Sequence, residues 1–296
     1  MLPTAYYFPP NVTKIGDNLL TWDIAHEASQ RCRELIYFAS RTVAGVLGRF
    51  GVSNIAFREI ETEEAAFRVA HSLRAHHPVI DLQQLNSWFD WPQQRHLFDD
   101  PIHERATRAW DDPVSVARWG KARFADIFRE MLGFPDEQLP RRRLRVEQAS
   151  DRPLLLFPHA CTDIQQLGHW RAIAEFATGR VRTTVVGLPA VRDLARWPSD
   201  VELLVALPGE QLVDLIAGAN LCIGGATGLT HLAAELERPT LFLWRHDDRD
   251  VFAPVRGNTA AHLDVAGFNE ERIIAAVSGL MSEIWQPYFK SAGLHS

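Results

Sequence analysis

Cysteine is scarce in this chain. Cys32, Cys161 and Cys222 show no CxxC spacing, so each is expected to be a small buried hydrophobe of a reducing compartment rather than a metal ligand or half of a disulfide. No apolar run approaches the ~20 residues that a membrane-spanning helix requires. The opening "MLPTAYYFPPN" has neither a basic region nor a long apolar stretch behind it, so no export signal is expected and the cytoplasm is the default location. Positive charge is also in short supply: the formal net charge is -6, which offers phosphate backbones no general attraction. The one basic run, "PRRRLR" at 140–145, reads as a solvated linker. Nucleic acid is therefore not expected as a partner.

What is present describes an ordinary globular protein of two parts. Hydrophobic residues make up 46% and charged residues 23%, and 296 residues exceed what one core usually organises. From residue 153 onward strands and helices alternate. "PLLLFPH", "VRTTVVGLP", "ELLVAL", "NLCIGG" and "TLFLW" read as strands, and "DIQQLGHWRAIAEFATG", "GEQLVDLIAGA" and "TGLTHLAAELER" as helices. Continuous apolar strands of this kind belong to a parallel sheet covered on both faces, the doubly wound α/β class. A noisier alternation fills the first 90 residues: strands "TAYYF", "ELIYFAS" and "HPVIDL", with helices "DNLLTWDIAHEASQR" and "TVAGVLGRFG". The expected organisation is an α/β domain over 1–145 with a helical segment at 96–134, and a second α/β domain over 150–280. A helix or tail at 281–296 could cross back over the first. Two "DDP" repeats, at 99–101 and 111–113, read as aspartate caps followed by proline at the first helical position. His246, Asp247, Asp248 and Asp250 read as a solvated loop, and no metal site is expected.

Ligands of open parallel sheets bind beyond the carboxyl ends of the strands, which directs attention to three loops. In "NVTKIGDNLL", Gly16 suits an unusual backbone conformation and Asp17 stands at a helix start, as an N-cap or as a general base. In "FPHACTD", His159, Cys161 and Thr162 accompany free backbone amides. A Cys–His pair two residues apart on an extended loop need not meet, so nucleophilic catalysis is not expected there. In "IGGATGLTH", Gly224 and Gly225 turn the chain off a strand, Thr227 is a natural N-cap and Gly228 leaves the first turn uncovered. His231 lies one turn on. The stretch is either a tight glycine turn or an anion site at a helix N-terminus.

These residues do more than suggest a class. "AGANLCIGGATGLTHLAAELERPTLFLW" (217–244) resembles the donor-site signature of the ADP-heptose:lipopolysaccharide heptosyltransferase family, glycosyltransferase family 9, through Thr227, Gly228, His231, Leu232, Ala233, Ala234 and Pro239. "IGDNLLTWDIAHEA" is similar to that family's N-terminal loop and helix, and "LLLFPHACTDIQQLGHWRAIAE" to the opening of its C-terminal half. The resemblance implies a GT-B fold, two Rossmann-like α/β domains facing each other across a cleft, and an inverting, metal-independent glycosyl transfer. The N-terminal half would hold the acceptor, with Asp17 as general base. Gly225, Ala226, Thr227, Gly228, Leu229 and His231 would cradle the diphosphate, with His159, Cys161 and Thr162 near the donor. Lys14, Gly16, Asn18, Arg192 and Arg245 are further candidate substrate contacts. No cofactor is implied beyond a nucleotide diphosphate sugar, a heptose derivative among the candidates, as co-substrate. The acceptor would be the hydroxyl of a glycan, lipid, small molecule or protein, and the location cytoplasmic, peripheral at the inner membrane at most. Three positions depart from the family pattern: Ala226 stands where it has Asp, "DIQQLGHW" contains no lysine, and Val191 and Arg192 replace an acidic residue. Either another cation, such as Lys14, Arg192, Arg245 or Arg249, then meets the phosphate charge, or the donor differs from ADP-heptose, or catalysis has been lost. Trp88, Trp91 and Trp110 are candidate acceptor contacts. An epimerase or hydrolase of the same fold, or a non-catalytic sugar- or protein-binding relative, are the alternatives.

Overall fold

The computed structural model describes residues 2–83, 125–126, 128–129, 153–158, 169–194, 196–244, 249, 252–253, 260–265, 267 and 269–291. The chain divides into two compact units, Met1–Leu144 with Asp250–Ala253, and Arg145–Arg249 with Pro254–Ser296.

In the first unit the described elements run β1 (Leu2–Phe8), α1 (Ile15–Leu20), α2 (Trp22–Ser29), β2 (Cys32–Ala39), α3 (Arg41–Gly48), β3 (Ile55–Glu59), α4 (Glu63–Arg74) and β4 (Val79–Asp81). The four strands pair in the order β3-β2-β1-β4, all parallel, so every strand exit lies at one edge of the sheet. The single helix expected over 17–31 is two helices. Buried Thr21 sits between them at φ -107°, its hydroxyl donating back to the Asp17 carbonyl at 2.8 Å; this back-bonding bends a helix. Strand β3 and helix α4 carried no clear sequence signal. β3 is a sheet edge with no fully buried side chain, so it lacks an apolar run. α4 buries only Ala66 and Ala70, which pack with Phe8, Val12, Ile36, Phe38 and Val79.

The second unit contains β5 (Leu154–Phe157), α5 (Trp170–Thr178), β6 (Thr183–Gly187), α6 (Val191–Leu194), β7 (Glu202–Val205), α7 (Gly209–Ala217), β8 (Leu221–Gly224), α8 (Gly228–Glu235), β9 (Thr240–Trp244), β10 (Ala260–Asp264) and α9 (Glu270–Ser291). Six parallel strands follow the order β10-β9-β8-β5-β6-β7. β5, β8 and β9 are buried at every position, as the continuous apolar runs required. Alternate residues face opposite sides. Leu154, Leu156, Ile223, Leu241 and Leu243 join Trp170, Ile173, Val277 and Met281 in one core, which explains the packing of α5 and α9 against the same sheet face. The helix expected from residue 163 starts, in the described residues, at Trp170 with His169 as its N-cap; 163–168 lie outside them. So do the linker at 140–145, most of the 96–134 segment, the two "DDP" repeats and the side chains of α9 beyond Ser282, on which the expected return of the tail rests.

Cys32 and Cys222 are free and buried, and Cys161 lies outside the described residues. Among the described residues no helix is long and apolar enough to cross a membrane.

From the helical segment, Arg129 reaches back more than 100 residues in sequence. Only 3% exposed, it donates to Asp23 Oδ2 and Glu27 Oε2 on α2, each at 3.0 Å. Removing one partner of a buried ionic cluster costs far more than the net worth of the cluster. Arg129→Ala, which takes the buried cation away from both carboxylates, should lower the unfolding free energy by about 3 to 5 kcal/mol, read as a fall in the urea midpoint; an unchanged midpoint would contradict it.

Candidate functional site

The exit of β1 is shaped by two asparagines. Asn11, buried, accepts at Oδ1 from the Thr13 amide (3.1 Å), the Thr13 hydroxyl (2.9 Å) and the Lys14 amide (3.1 Å). It closes an Asx turn that makes the backbone change direction. Asn18 is fully buried; its Nδ2 donates to the carbonyls of Asn11 (2.6 Å) and Lys14 (2.7 Å), and its Oδ1 accepts from Tyr37 Oη at 2.6 Å. Tyr37 comes from β2 and stacks on Tyr7 of β1. Asp17 is thereby fixed on a six-residue helix whose carbonyl side is held by Thr21 and whose loop is held by Asn18. Two sequence expectations change. Lys14, not Asp17, occupies the N-cap, and it caps through no side-chain bond. Gly16 is buried and helical, while the positive-φ glycines among the described residues are Gly51 and Gly267.

Asp17 is partly exposed, and burial pushes its carboxyl up to about 6, with Lys14 pulling the other way. It is a carboxylate at neutral pH that binds a proton more readily than an ordinary aspartate, the property a general base needs. Lys14 itself is exposed.

In the second unit the chain leaves β8 through a turn in which Gly224 admits no side chain. A Cβ there would run into Thr230 Oγ1 and Phe157. Thr227 is the N-cap, as its sequence position implied: at φ -120°, ψ 159°, its hydroxyl accepts from the amides of Leu229 (3.1 Å) and Thr230 (3.4 Å). The first turn of α8 is thus less bare than expected, because Thr227 already occupies two of its amides. Gly225 and Thr227 are buried, and Ala226, Gly228 and Leu229 are partly exposed.

His231 differs most from its expected role. It is 4% exposed, packs on Phe242 at 5.5 Å between ring centres, and its Nδ1 is buried with no hydrogen-bond partner. Burial, assisted by His262, pushes it down to about 4. At neutral pH the ring is uncharged, so it brings no positive charge to a phosphate. Beyond it, Phe242, Trp244 and His262 stack, with Trp244 Nε1 donating to His262 Nδ1 at 2.9 Å.

Arg192 and Arg249 are exposed, and Val191, which stands where the family pattern has an acidic residue, is fully buried. His159, Cys161, Thr162, Arg245, His246, Asp247, Asp248, Asp250, Trp88, Trp91 and Trp110 lie outside the described residues. Among the described residues no cluster of three or more His, Cys, Asp or Glu could hold a metal ion. A hollow of about 120 Å³ in the first unit, lined by Trp22, Asp23, His26, Phe50 and Asn54, contains none of the expected site residues. Gln83, Asn11, Tyr37 and His262 had no place in the sequence reading. Only Asn11, an asparagine after two prolines, carries a turn signal that could have found it.

Residues 122–267 match the family model of glycosyltransferase family 9 (heptosyltransferase). Lipopolysaccharide heptosyltransferase 1 of Pseudomonas aeruginosa is 30% identical over 165 residues, 51% of this chain and 46% of that protein. Its namesake from Salmonella typhimurium is 24% identical over 224 residues, 64% of this chain and 67% of that protein. The match thus spans about half the length of the first of these relatives and about two thirds of the second. Among solved structures, the E. coli ADP-heptose lps heptosyltransferase II superposes with a TM-score of 0.65 at 15% identity, covering 97% of this chain and 100% of that one. At that identity the likeness is one of fold, the GT-B pairing of two Rossmann-like α/β domains.

The raised proton affinity of Asp17 has a consequence for stability. Because the folded carboxyl binds its proton more tightly than the unfolded one, its ionisation costs stability above pH 6, and the cost vanishes as pH falls below the ordinary value of 3.8. Asp17→Asn should therefore raise the melting temperature at pH 7.5, with the gain shrinking towards pH 4. A gain that is independent of pH, or a loss at pH 7.5, would contradict the assignment.

Proposed function

We propose that this chain, whose residues 122–267 match the model of glycosyltransferase family 9, is a heptosyltransferase-like enzyme that transfers a glycosyl group from a nucleoside diphosphate sugar to an acceptor hydroxyl. The observation that carries this reading is the Asp17 carboxylate, presented at the exit of β1 by a buried hydrogen-bonded loop and tuned to about 6. In the transfer, the acceptor oxygen forms a bond to the anomeric carbon while the bond from that carbon to the diphosphate oxygen breaks. Asp17 takes the acceptor proton, and the diphosphate leaves with the bonding electron pair. One base and one displacement invert the anomeric centre, and neither a covalent nucleophile nor a metal ion is required.

The β8–α8 turn is the candidate diphosphate seat. Gly225, Ala226, Thr227, Gly228 and Leu229 offer backbone at the start of an eight-residue helix. The partial exposure of Gly228 and Leu229 supports an approach there. His231, neutral and buried, serves as a wall of this seat, and the positive charge would come from Arg192, Arg245 or Arg249 of the same unit. The related E. coli structure is described as acting with ADP-heptose, which makes an ADP-sugar the first donor to test here. Ala226, where the family pattern has an aspartate, supports a donor or donor contact that differs. The acceptor is a hydroxyl of a glycan, lipid, small molecule or protein, met in the cytoplasm or at the inner face of a membrane.

A panel of nucleoside diphosphates and nucleotide sugars, read by thermal shift, identifies the donor before any acceptor is known. With that donor, Asp17→Ala should reduce transfer by about 10²-fold or more, the range of general base catalysis, while nucleotide affinity stays within twofold and EDTA leaves the wild-type rate unchanged. Retained turnover in the variant removes the base, and a strict metal requirement removes the mechanism. Gly228→Val, which adds a β-branched side chain at the partly exposed first residue of α8, should weaken nucleotide binding by about tenfold or more, 1.4 kcal/mol per factor of ten; calorimetry with unaltered affinity would move the diphosphate elsewhere.

A further inference from the structure

The exit of β4 lies on the same edge of the first sheet as the loop that carries Asp17. β4 pairs in parallel with β1, Phe8 opposite Asp81, and the Leu82 amide donates to the Phe8 carbonyl at 2.9 Å. At this exit Asp81, 3% exposed, uses both of its carboxylate oxygens. Oδ2 accepts from Arg74 Nη2 of α4 at 2.6 Å, and Oδ1 accepts from the Gln83 backbone amide at 3.0 Å and from Gln83 Nε2 at 3.1 Å. The orientation of the Gln83 side chain follows: turned over, its amide would set Oε1 against Oδ1, oxygen to oxygen. Oε1 therefore points away from Asp81. It is sealed from solvent and has no hydrogen-bond partner among the described residues. Buried polar atoms are as a rule paired, and one left unpaired costs stability. A ligand that supplies a donor removes that cost.

We propose that Gln83 Oε1 accepts from a hydroxyl of the glycosyl acceptor, a second one besides the hydroxyl that Asp17 deprotonates, so that the acceptor is a polyhydroxylated molecule of the sugar type. This rests on the reading of Asp17 as the base, which puts the acceptor in the first unit, and it narrows the acceptor class. The chemistry of the position selects the group. A phosphodiester or a carboxylate has no hydrogen to give to an amide oxygen, and an ammonium ion finds no uncompensated charge, because Asp81 is already paired with Arg74. A neutral hydroxyl meets both conditions. Gln83 as a whole keeps 8% of its surface exposed, and the terminal torsion of a glutamine is broad, so a modest rotation brings Oε1 to a ligand while Nε2 stays within reach of Asp81. An acceptor with one isolated hydroxyl, such as a serine side chain, leaves this oxygen unmet.

The test is a titration of the intact, nitrogen-15-labelled chain, followed through the side-chain amide signal of Gln83, with methyl hexopyranosides as probes and cyclohexanol, a ring of similar size with a single hydroxyl, as the control. Donation to Oε1 polarises the amide, so the Nε2 protons should move downfield as a glycoside binds, while cyclohexanol at equal concentration leaves them in place. Gln83→Met keeps the length of the side chain and removes the oxygen, and it should weaken glycoside binding by about fivefold, the worth of one neutral hydrogen bond. A Gln83 signal that no glycoside of the panel moves, or one that cyclohexanol moves equally, overturns the inference, and so does equal affinity in a folded Gln83→Met chain. The signal is read on the wild type, so its outcome stands even where the variant fails to fold. None of these measurements needs turnover, whereas the role of Asp17 as base is decided by the activity of Asp17→Ala, and the two can fail separately.

Discussion

The side-chain amide of Asn18 is the point on which the candidate catalytic loop depends. Buried completely, it donates to the carbonyls of Asn11 and Lys14 and accepts from the Tyr37 phenol, all within 2.7 Å. The Asn11 carbonyl and the Tyr37 phenol have no other partner among the described residues, and a buried polar atom left unpaired costs about 1 to 3 kcal/mol. One residue on α1 therefore ties the exit of β1 to β2 and closes the loop behind Asp17. Asp17 sits one residue earlier, itself partly exposed, and is fixed at its carbonyl by Thr21. The backbone is rigid where the functional group is tuned, as a base held in one geometry requires.

The second unit presents a different feature, a backbone turn whose shape is fixed by close packing. Gly224 is pressed between Phe157 and Thr230, and Thr227 both caps α8 and uses two of its amides. The turn thus has a fixed shape but little charge of its own. His231, the one titratable side chain that the sequence placed there, is held neutral by burial beside Phe242. For the proposed diphosphate seat, positive charge has to come from exposed arginine of the same unit, such as Arg192.

How much of this could be read from residues alone depends on how each feature is encoded. The second sheet was legible because β5, β8 and β9 are buried on both faces and so are written as uninterrupted apolar runs. Thr227 was legible because capping is local. Strand β3 and helix α4 were not, since an edge strand needs no apolar run and α4 packs through two alanines. With α4 went Arg74, which holds Asp81. The break at Thr21 depends on a hydroxyl bonding back to a carbonyl, a choice the pattern of apolar residues does not record. The neutrality of His231 was likewise invisible, because it follows from residues 11 and 31 positions away, Phe242 and His262.

In the proposed transfer the positioned carboxylate of Asp17 activates the acceptor hydroxyl. The measurement closest to that claim is the pH dependence of glycosyl transfer at saturating donor and acceptor, followed from pH 4.5 to 8.5. The account predicts a rate that rises with the deprotonation of Asp17, with its midpoint near the value of about 6 set by burial, and a limb that is absent from the residual rate of Asp17→Ala. A limb that persists unchanged in that variant would assign the proton to another group and contradict the account.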